Sequence, residues 1–209
     1  MKDIFEECEE YKRILESRLR KNPKDSEALI HLGFLEFDFT HDHEKSLAYL
    51  EKAIEIDPNN LEAYFWLAYV HYADFCEYSK AENVLLKALK IDPHHTDCLL
   101  LMALIYWDWD RPLDEAIKYL ERALKHGFDR PLIYHILSTL HLKQGNIDLA
   151  ELYLYKGLEF AQHPPKIPTN VIEKYYENVL TGRSWKDLEK TFRKLEEKIE
   201  RKKQELKNC

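Results

Sequence analysis

The chain has 209 residues, of which 45% are hydrophobic and 33% charged, and its net charge is −7. This length suits a sizeable core, and the acidic balance disfavours nucleic acid as a partner because phosphate binding needs a basic face. No apolar run approaches the roughly 20 residues of a membrane-spanning helix, and residues 1–19 are too charged for a signal peptide. We therefore expect a cytoplasmic protein with no membrane partner.

Residues 1–25 are predicted to form an N-terminal capping helix. Residues 3–21 place apolar side chains at helical spacing, and Asn22-Pro23 ends the helix because proline cannot continue it. The apolar stripe consists of Ile4, Phe5, Cys8, Tyr11, Ile14, Leu15 and Leu19. We expect this helix to cover the open side of the repeats that follow.

Residues 26–163 contain one pattern four times. A small residue recurs at intervals of 35, 35 and 34 residues, and a leucine precedes it by three positions each time. These small residues are Ala53, Ala88, Ala123 and Gly157. A second series, each member following Leu or Met, consists of Gly33, Ala68, Ala103 and Ser138. Each unit of about 35 residues therefore contains two amphipathic helices.

Boundary signals separate these helices. Asp57-Pro58 and Asp92-Pro93 are predicted to end the second helices of the first two units. The first three units have one extra residue in the turn between their helices, whereas the fourth has the short turn Lys143-Gln144-Gly145-Asn146. The predicted N-terminal caps of the first helices are Asp25 or Ser26, Asn60 and Thr96, and Pro131 is predicted at the first helical position of the fourth unit.

The pattern resembles the tetratricopeptide repeat (TPR), whose W-x2-L-G-x2-Y, A-x3-F and Pro signature matches these positions. The resemblance covers residues 26–163. It implies an all-α fold, a right-handed α-solenoid of tandem helix-turn-helix repeats with N- and C-terminal capping helices, which forms one domain over residues 1–209. The small residues would let paired helices approach to about 8–10 Å.

Residues 164–209 are predicted to comprise a connector, a divergent fifth helical pair and a C-terminal helix. The connector is rich in proline, and the first helix carries Val171, Ile172, Tyr175, Tyr176, Val179 and Leu180. The last helix has an apolar seam at Trp185, Leu188, Phe192, Leu195, Ile199 and Leu206. Two interpretations remain open for this seam, because it suits both a cap on the array and a short coiled coil with a second chain.

The resemblance also implies which positions line the inner groove of the superhelix. Carried over by register, they are nearly all apolar: Ile30, Phe34, Phe37, Phe65, Trp66, Tyr69, Tyr72, Leu101, Leu104, Trp107 and His135. Helices that are apolar on two faces are expected to be covered on both. Either a partner's helix or apolar peptide occupies the groove, or tight curvature or the C-terminal helix covers it.

The three longer turns alternate carboxylates with aromatic residues. By register they lie along one edge of the array and form a predicted acidic ridge of Asp38, Asp42, Asp74, Glu77, Asp108 and Asp110. One interpretation is a docking ridge for a basic partner, with attraction strongest at low salt. The other is that the acids cap the second helices and the aromatic residues wedge between repeats.

No cofactor, metal site or catalytic activity is expected. His41-Asp42-His43 and His94-His95 are interpreted as solvated, and the four cysteines contain no Cys-x-x-Cys pair. No nucleophile, acid/base pair or phosphate loop recurs at mechanistic spacing. His71 and His141 occupy a position where the family commonly has tyrosine, which indicates core packing.

These features predict a non-catalytic protein–protein interaction scaffold whose ligand is apolar on one side and basic on the other. One alternative is a dedicated chaperone or immunity-type neutraliser of a specific protein such as a basic toxin. The other is a structural oligomeriser that acts through its C-terminal helix. We expect a monomer or a weak dimer through that helix.

Overall fold

A computed structural model describes residues 4–126, 131–162 and 185–207 of the chain. All regular secondary structure in these ranges is helical. The helices are α1 (Ile4–Lys21), α2 (Ser26–Asp38), α3 (His43–Ile56), α4 (Leu61–Ala73), α5 (Tyr78–Ile91), α6 (Thr96–Asp108), α7 (Leu113–Lys125), α8 (Pro131–Lys143), α9 (Ile147–Gln162) and α10 (Trp185–Lys207). The predicted helix over residues 171–180 and its connector lie outside the described residues.

The predicted start and stop signals act as expected at most helix ends. Helices α3 and α5 end one residue before Asp57 and Asp92, whose backbone N–H groups donate to the carbonyls of the residues four positions earlier. Asp25 and Asn60 cap α2 and α4 by accepting a hydrogen bond from a backbone N–H of the first turn. The prediction for α6 is wrong by one residue. The cap there is the His95 ring, which accepts from the N–H of Cys98 at 3.4 Å, so Thr96 is the first helical residue.

The chain divides into two compact units, Met1–Pro112 and Leu113–Cys209. In the first unit α2 pairs with α3 and α4 with α5, and α4 and α6 each pack on the two helices that precede them. The helices α2 and α3 approach closely at Gly33, where an added Cβ would lie 2.7 Å from Cγ of Leu50 and 3.3 Å from the carbonyl oxygen of Ser46. A small residue is therefore required at this crossing, as the repeat pattern predicts.

Helix α1 packs on α2 in the register of a second repeat helix. Leu15 is fully buried at the position equivalent to Leu50 and packs with Ala28 and Leu32. Tyr11 replaces the small residue found here in complete repeats, and its hydroxyl lies 2.5 Å from Nδ1 of His31.

The second unit contains α7 to α10. Helix α8 pairs with α9, and α10 packs on both, in the same way that α4 packs on α3 and α2. Phe192 of α10 is fully buried and occupies the space beside Gly157, where an added Cβ would lie 2.2 Å from its Cζ. Leu195 and Ile199 join the same buried cluster, whereas Leu206 is exposed. Phe192, Leu195 and Ile199 of the seam are therefore buried by contacts within the chain itself.

The described turns between paired helices share a residue in the left-handed backbone region. The turns before α3, α5 and α7 have four residues and the turn before α9 has three. Each contains one residue with positive φ: His41, Cys76, Asp110 and Gly145. Only glycine adopts this left-handed region without a steric cost, so the first three turns carry local strain.

Candidate functional site

The predicted groove positions divide into buried and accessible side chains. Ile30, Phe65, Trp66 and Leu101 are at most 4% exposed, so they belong to the core. The accessible members are partly buried, and they are Phe34, Phe37, Tyr69, Tyr72, Leu104, Trp107 and His135. A partner could contact these side chains, but not the first four.

Five of the partly exposed rings in the first unit form a continuous line, which we call the aromatic row. Its members, in order of contact, are Phe37, Tyr69, Tyr72, Tyr78 and Trp109. Successive ring centroids are 5.6, 6.4, 6.1 and 5.9 Å apart. Edge and tilted contacts at these distances are favourable for aromatic pairs. The row therefore joins three predicted groove positions to two residues that the groove assignment missed.

Buried Trp66 holds the row from beneath. Its ring contacts Tyr69 at 5.7 Å in an edge-to-face arrangement and Phe34 at 4.7 Å. Phe65 also contacts both Trp66 and Tyr69. Since Trp66 is 1% exposed, its role is to position the accessible rings above it.

Carboxylates flank the row and act on its tyrosines. The Tyr72 hydroxyl donates a hydrogen bond to Asp108, and its pKa is raised by burial and by this bond. The pKa of Tyr69 is raised by burial and by the charge of Asp38. At neutral pH both tyrosines keep their protons, so each presents an O–H group.

The Tyr69 hydroxyl makes no hydrogen bond to any residue in the described part of the chain. It therefore remains a donor for a ligand. At the far end of the row, the Arg111 guanidinium lies 4.0 Å from the ring centroid of Trp109. This cation–π contact and the stacked Tyr78 ring occupy Trp109 within the chain itself.

An open surface depression of about 350 Å³ adjoins the same end of the row. It is lined by Trp109 and by residues 76–80, which include Tyr78 and Lys80. The Nζ of Lys80 lies 2.6 Å from Oε1 of Glu77.

The acidic ridge is largely engaged within the chain. Asp42 caps α3 and pairs with Lys45, and Glu77 pairs with Lys80 and with Nδ1 of His71 at 2.8 Å. Nδ1 of His43 lies 2.5 Å from Oδ2 of Asp74, an ion-pair distance without the alignment of a hydrogen bond. Asp42 is thus a cap as the capping interpretation predicts, whereas Glu77 stands at the N-cap of α5 without a side-chain cap bond and Asp108 accepts from Tyr72.

The groove position of the fourth repeat, His135, packs partly against α10 of the same unit. His135 contacts the ring of Phe192 at 5.6 Å in an edge-to-face arrangement. His141 is also buried, and its ring stacks on Tyr153 at 5.4 Å with an angle of 5°. Both nitrogens of His141 lack a hydrogen-bond partner among the described residues, and burial lowers the pKa of the ring.

Within the described ranges, no group of three His, Cys, Asp or Glu side chains is arranged to hold a metal ion. His41 and His43 have ring centroids 6.2 Å apart, and His43 is directed toward Asp74. Among the described helices, none combines the length and apolar composition that crossing a lipid bilayer requires.

This helical architecture is similar to that of known proteins. A family model described as anaphase-promoting complex, cyclosome, subunit 3 matches residues 40–123. TTC0263, a thermophilic TPR protein from Thermus thermophilus, is similar with a TM-score of 0.62 and 23% identity over 82% of this chain and 89% of that one. The chain has the tetratricopeptide-repeat fold. The predicted resemblance and the predicted α-solenoid class are thereby confirmed.

Two further solved TPR structures are similar. YrrB, described as a TPR protein with an unusual peptide-binding site, has a TM-score of 0.60 and 20% identity over 88% of this chain and 90% of that one. MamA from Desulfovibrio magneticus RS-1 has a TM-score of 0.62 and 20% identity over 76% and 88% of the two chains. No curated protein sequence is similar enough to count as a relative.

Proposed function

We propose that the chain is a non-catalytic cytoplasmic scaffold that binds a segment of another protein through the aromatic row. The observation that carries this proposal is the row itself, five partly exposed rings in mutual contact above buried Trp66. Aromatic residues held rigidly at a surface are the side chains that most often dominate binding energy at protein interfaces. The YrrB structure, with its peptide-binding site, supports a peptide or protein as the ligand of this fold.

The partner is expected to be apolar with basic character. Rings supply the apolar contact, whereas Asp38 and Asp108 place negative charge beside the tyrosines. The acids already paired within the chain contribute less to recognition, because they have positive partners of their own. This assigns binding to the aromatic row and only a secondary role to the acidic ridge.

Site-specific photo-crosslinking tests the proposal. A benzophenone amino acid is incorporated at Tyr69 or Tyr72 in the native cell, and covalent adducts are identified by mass spectrometry. Tyr155 is the matched control because its side chain is 53% exposed in the second unit, outside the row. We expect one protein to be crosslinked from Tyr69 and Tyr72 and not from Tyr155.

A substitution provides the complementary measurement. Tyr69→Ala with Tyr72→Ala should abolish recovery of that protein while far-UV circular dichroism remains unchanged. Equal crosslinking from Tyr155, or full recovery with the double variant, would contradict a binding role for the aromatic row.

A further inference from the structure

We infer that the exposed face of α9 binds the same face of a second copy of the chain, and that the two helices pack antiparallel about a two-fold axis. This α9 face consists of Asp148, Leu149, Leu152, Tyr155 and Lys156. Three observations carry the inference: an exposed apolar stripe, the polar residues at the equivalent positions of the other repeats, and a charge arrangement that is complementary to itself. None of them involves the aromatic row, which lies in the first unit.

The first observation is the stripe of large apolar side chains on α9. Leu149, Leu152 and Tyr155 are 42%, 47% and 53% exposed. They follow one another at intervals of three residues, so they lie on successive turns of one side of the helix. Among the described helices, no other has three exposed side chains of this kind. A continuous apolar stripe, unlike single exposed residues, indicates an interaction surface.

The other repeats show that the fold does not require this stripe. By register, the equivalent positions in the first three repeats are Lys45, Ala48 and Glu51, then Lys80, Asn83 and Leu86, then Glu115, Lys118 and Glu121. Seven of these nine residues are charged or polar, and the three lysines pair with a carboxylate three residues earlier. The apolar stripe is therefore specific to the fourth repeat and has a cause other than folding.

Two opposite charges flank the stripe at equal distances from its centre. Asp148 precedes Leu152 by four residues and Lys156 follows it by four, so each lies about 6 Å from Leu152 along the helix axis. Both charged side chains are exposed. Nζ of Lys156 lies 5.7 Å from the ring centroid of Tyr153, and neither charge has an ion-pair partner in the part of the chain that the structure describes.

A second copy of the chain is the partner that this pattern fits. When two α9 helices pack antiparallel about a two-fold axis at Leu152, each residue before the axis reaches the level of a residue after it on the other helix. Leu152 then meets Leu152 of the second copy, and Leu149 lies at the level of Tyr155. Asp148 likewise lies at the level of Lys156. Apolar groups face apolar groups and opposite charges face each other, whereas parallel packing would oppose like charges.

The net charge of the two units also favours contact through the second. Residues 1–112 contain 13 Lys and Arg against 23 Asp and Glu, whereas residues 113–209 contain 18 against 15. Two copies therefore repel each other more strongly through their first units. One helix face is small beside the roughly 800 Å² per partner of a stable interface, so we expect a dissociation constant of about 10–100 μM.

Sedimentation equilibrium of the full chain, at concentrations up to about 500 μM, tests the inference. We expect a monomer–dimer equilibrium that Leu152→Glu weakens at least about tenfold, because two carboxylates would meet at the axis. Leu86→Glu is the matched control, since Leu86 is 41% exposed at an equivalent position of α5. This control should leave the equilibrium unaltered. Far-UV circular dichroism checks that both variants are folded.

A charge exchange tests the antiparallel arrangement. Asp148→Lys alone and Lys156→Asp alone should each weaken association, because like charges would then meet across the axis. An equimolar mixture of these two variants should associate more tightly than either alone, because all four charges are then opposed by opposite ones. Both side chains are exposed, so this mixture decides the question even if Leu152→Glu unfolds the second unit.

Photo-crosslinking identifies the partner in the native cell. A benzophenone amino acid at Leu152 should yield an adduct of two copies of the chain. A self-adduct from Tyr155 is expected for the same reason, and its mass distinguishes it from the protein captured at Tyr69 and Tyr72. The inference is overturned by a monomer at about 500 μM, by dimerisation that Leu152→Glu leaves unaltered, by a variant mixture no tighter than its components, or by a Leu152 adduct with a different protein. None of these results would affect the proposed role of the aromatic row.

Discussion

Replacing Gly157 by alanine should destabilise the second unit, although alanine is the better helix former. An ideal Cβ at this position would lie 2.2 Å from Cζ and 2.3 Å from Cε1 of Phe192, with Cβ of Tyr134 only 3.1 Å away on another side. Ordinary carbon–carbon contacts are about 3.5–4.0 Å, so the ring must move by more than an ångström. Phe192 is fully buried, which leaves no space for that movement.

The magnitude follows from two opposing effects. Overpacking of a buried site costs about 1–3 kcal/mol, whereas replacing glycine by alanine inside a helix gains about 1 kcal/mol. The expected net effect of Gly157→Ala is therefore a loss of about 1 kcal/mol in the free energy of unfolding. Phe192→Leu removes Cε1 and Cζ, the two atoms that the new Cβ would meet. In that background Gly157→Ala should instead stabilise the unit by about 0.5–1 kcal/mol.

Urea titration of the four proteins, followed by circular dichroism, gives the free energies, and amide hydrogen exchange in α10 shows where stability is lost. The reasoning requires the effect of Gly157→Ala to change sign between the two backgrounds. If Gly157→Ala changes the free energy of unfolding equally in both backgrounds, or stabilises the unit in both, Phe192 does not occupy the space beside Gly157.

Four further substitutions test other parts of the structure by urea titration. Ser46→Ala should stabilise the first unit by about 1 kcal/mol, because the buried Ser46 hydroxyl lacks a partner among the described residues. Ser138→Ala should destabilise the second unit by a similar amount, because the Ser138 hydroxyl donates to the carbonyl of residue 150 at 2.6 Å. Equal changes in the free energy of unfolding for the two serine variants would contradict the predicted opposite signs. Cys76→Gly should stabilise by about 1 kcal/mol because it relieves a φ of 49°, and no gain would show that the turn is not strained. Burial lowers the pKa of His141 in the folded protein below its ordinary value of 6.5. As the pH falls, the unfolded chain therefore protonates this histidine before the folded protein does. The free energy of unfolding should then decrease as the pH drops below 6.5. His141→Phe should reduce this pH dependence, and an unchanged profile would assign it to other groups.

Most of the fold could be predicted from the sequence because repetition multiplies weak signals. One small residue in a helix says little, but Ala53, Ala88, Ala123 and Gly157 occur in register and all are buried. Proline and the capping residues then fix the helix ends. The cap of α6 was missed because His95 substitutes for the usual Ser, Thr, Asp or Asn at that position.

The candidate site was less predictable, because register places a side chain on a helix face and does not report its exposure. Ile30 and Trp66 occupy groove positions of the family, yet the neighbouring rings and helices cover them. Tyr78 and Trp109 were missed among the groove residues because they lie at the start of a second helix and in a turn. Three-dimensional proximity, not periodicity, joins them to the row.

The longer turns account for that proximity. In both complete repeats of the first unit, a ring in the last turn of the first helix contacts a ring at the start of the second, six residues later. Phe37 contacts His43 at 5.2 Å, and Tyr72 contacts Tyr78 at 6.1 Å. Each turn contains a non-glycine residue with positive φ, and that strain costs about 1 kcal/mol or more. The fourth repeat has a glycine in a shorter turn and an aliphatic residue, Ile147, at the start of its second helix. The strained turns and the aromatic row thus occur in the same unit. This is expected if selection for binding by the row keeps turn conformations that selection for stability alone would not favour.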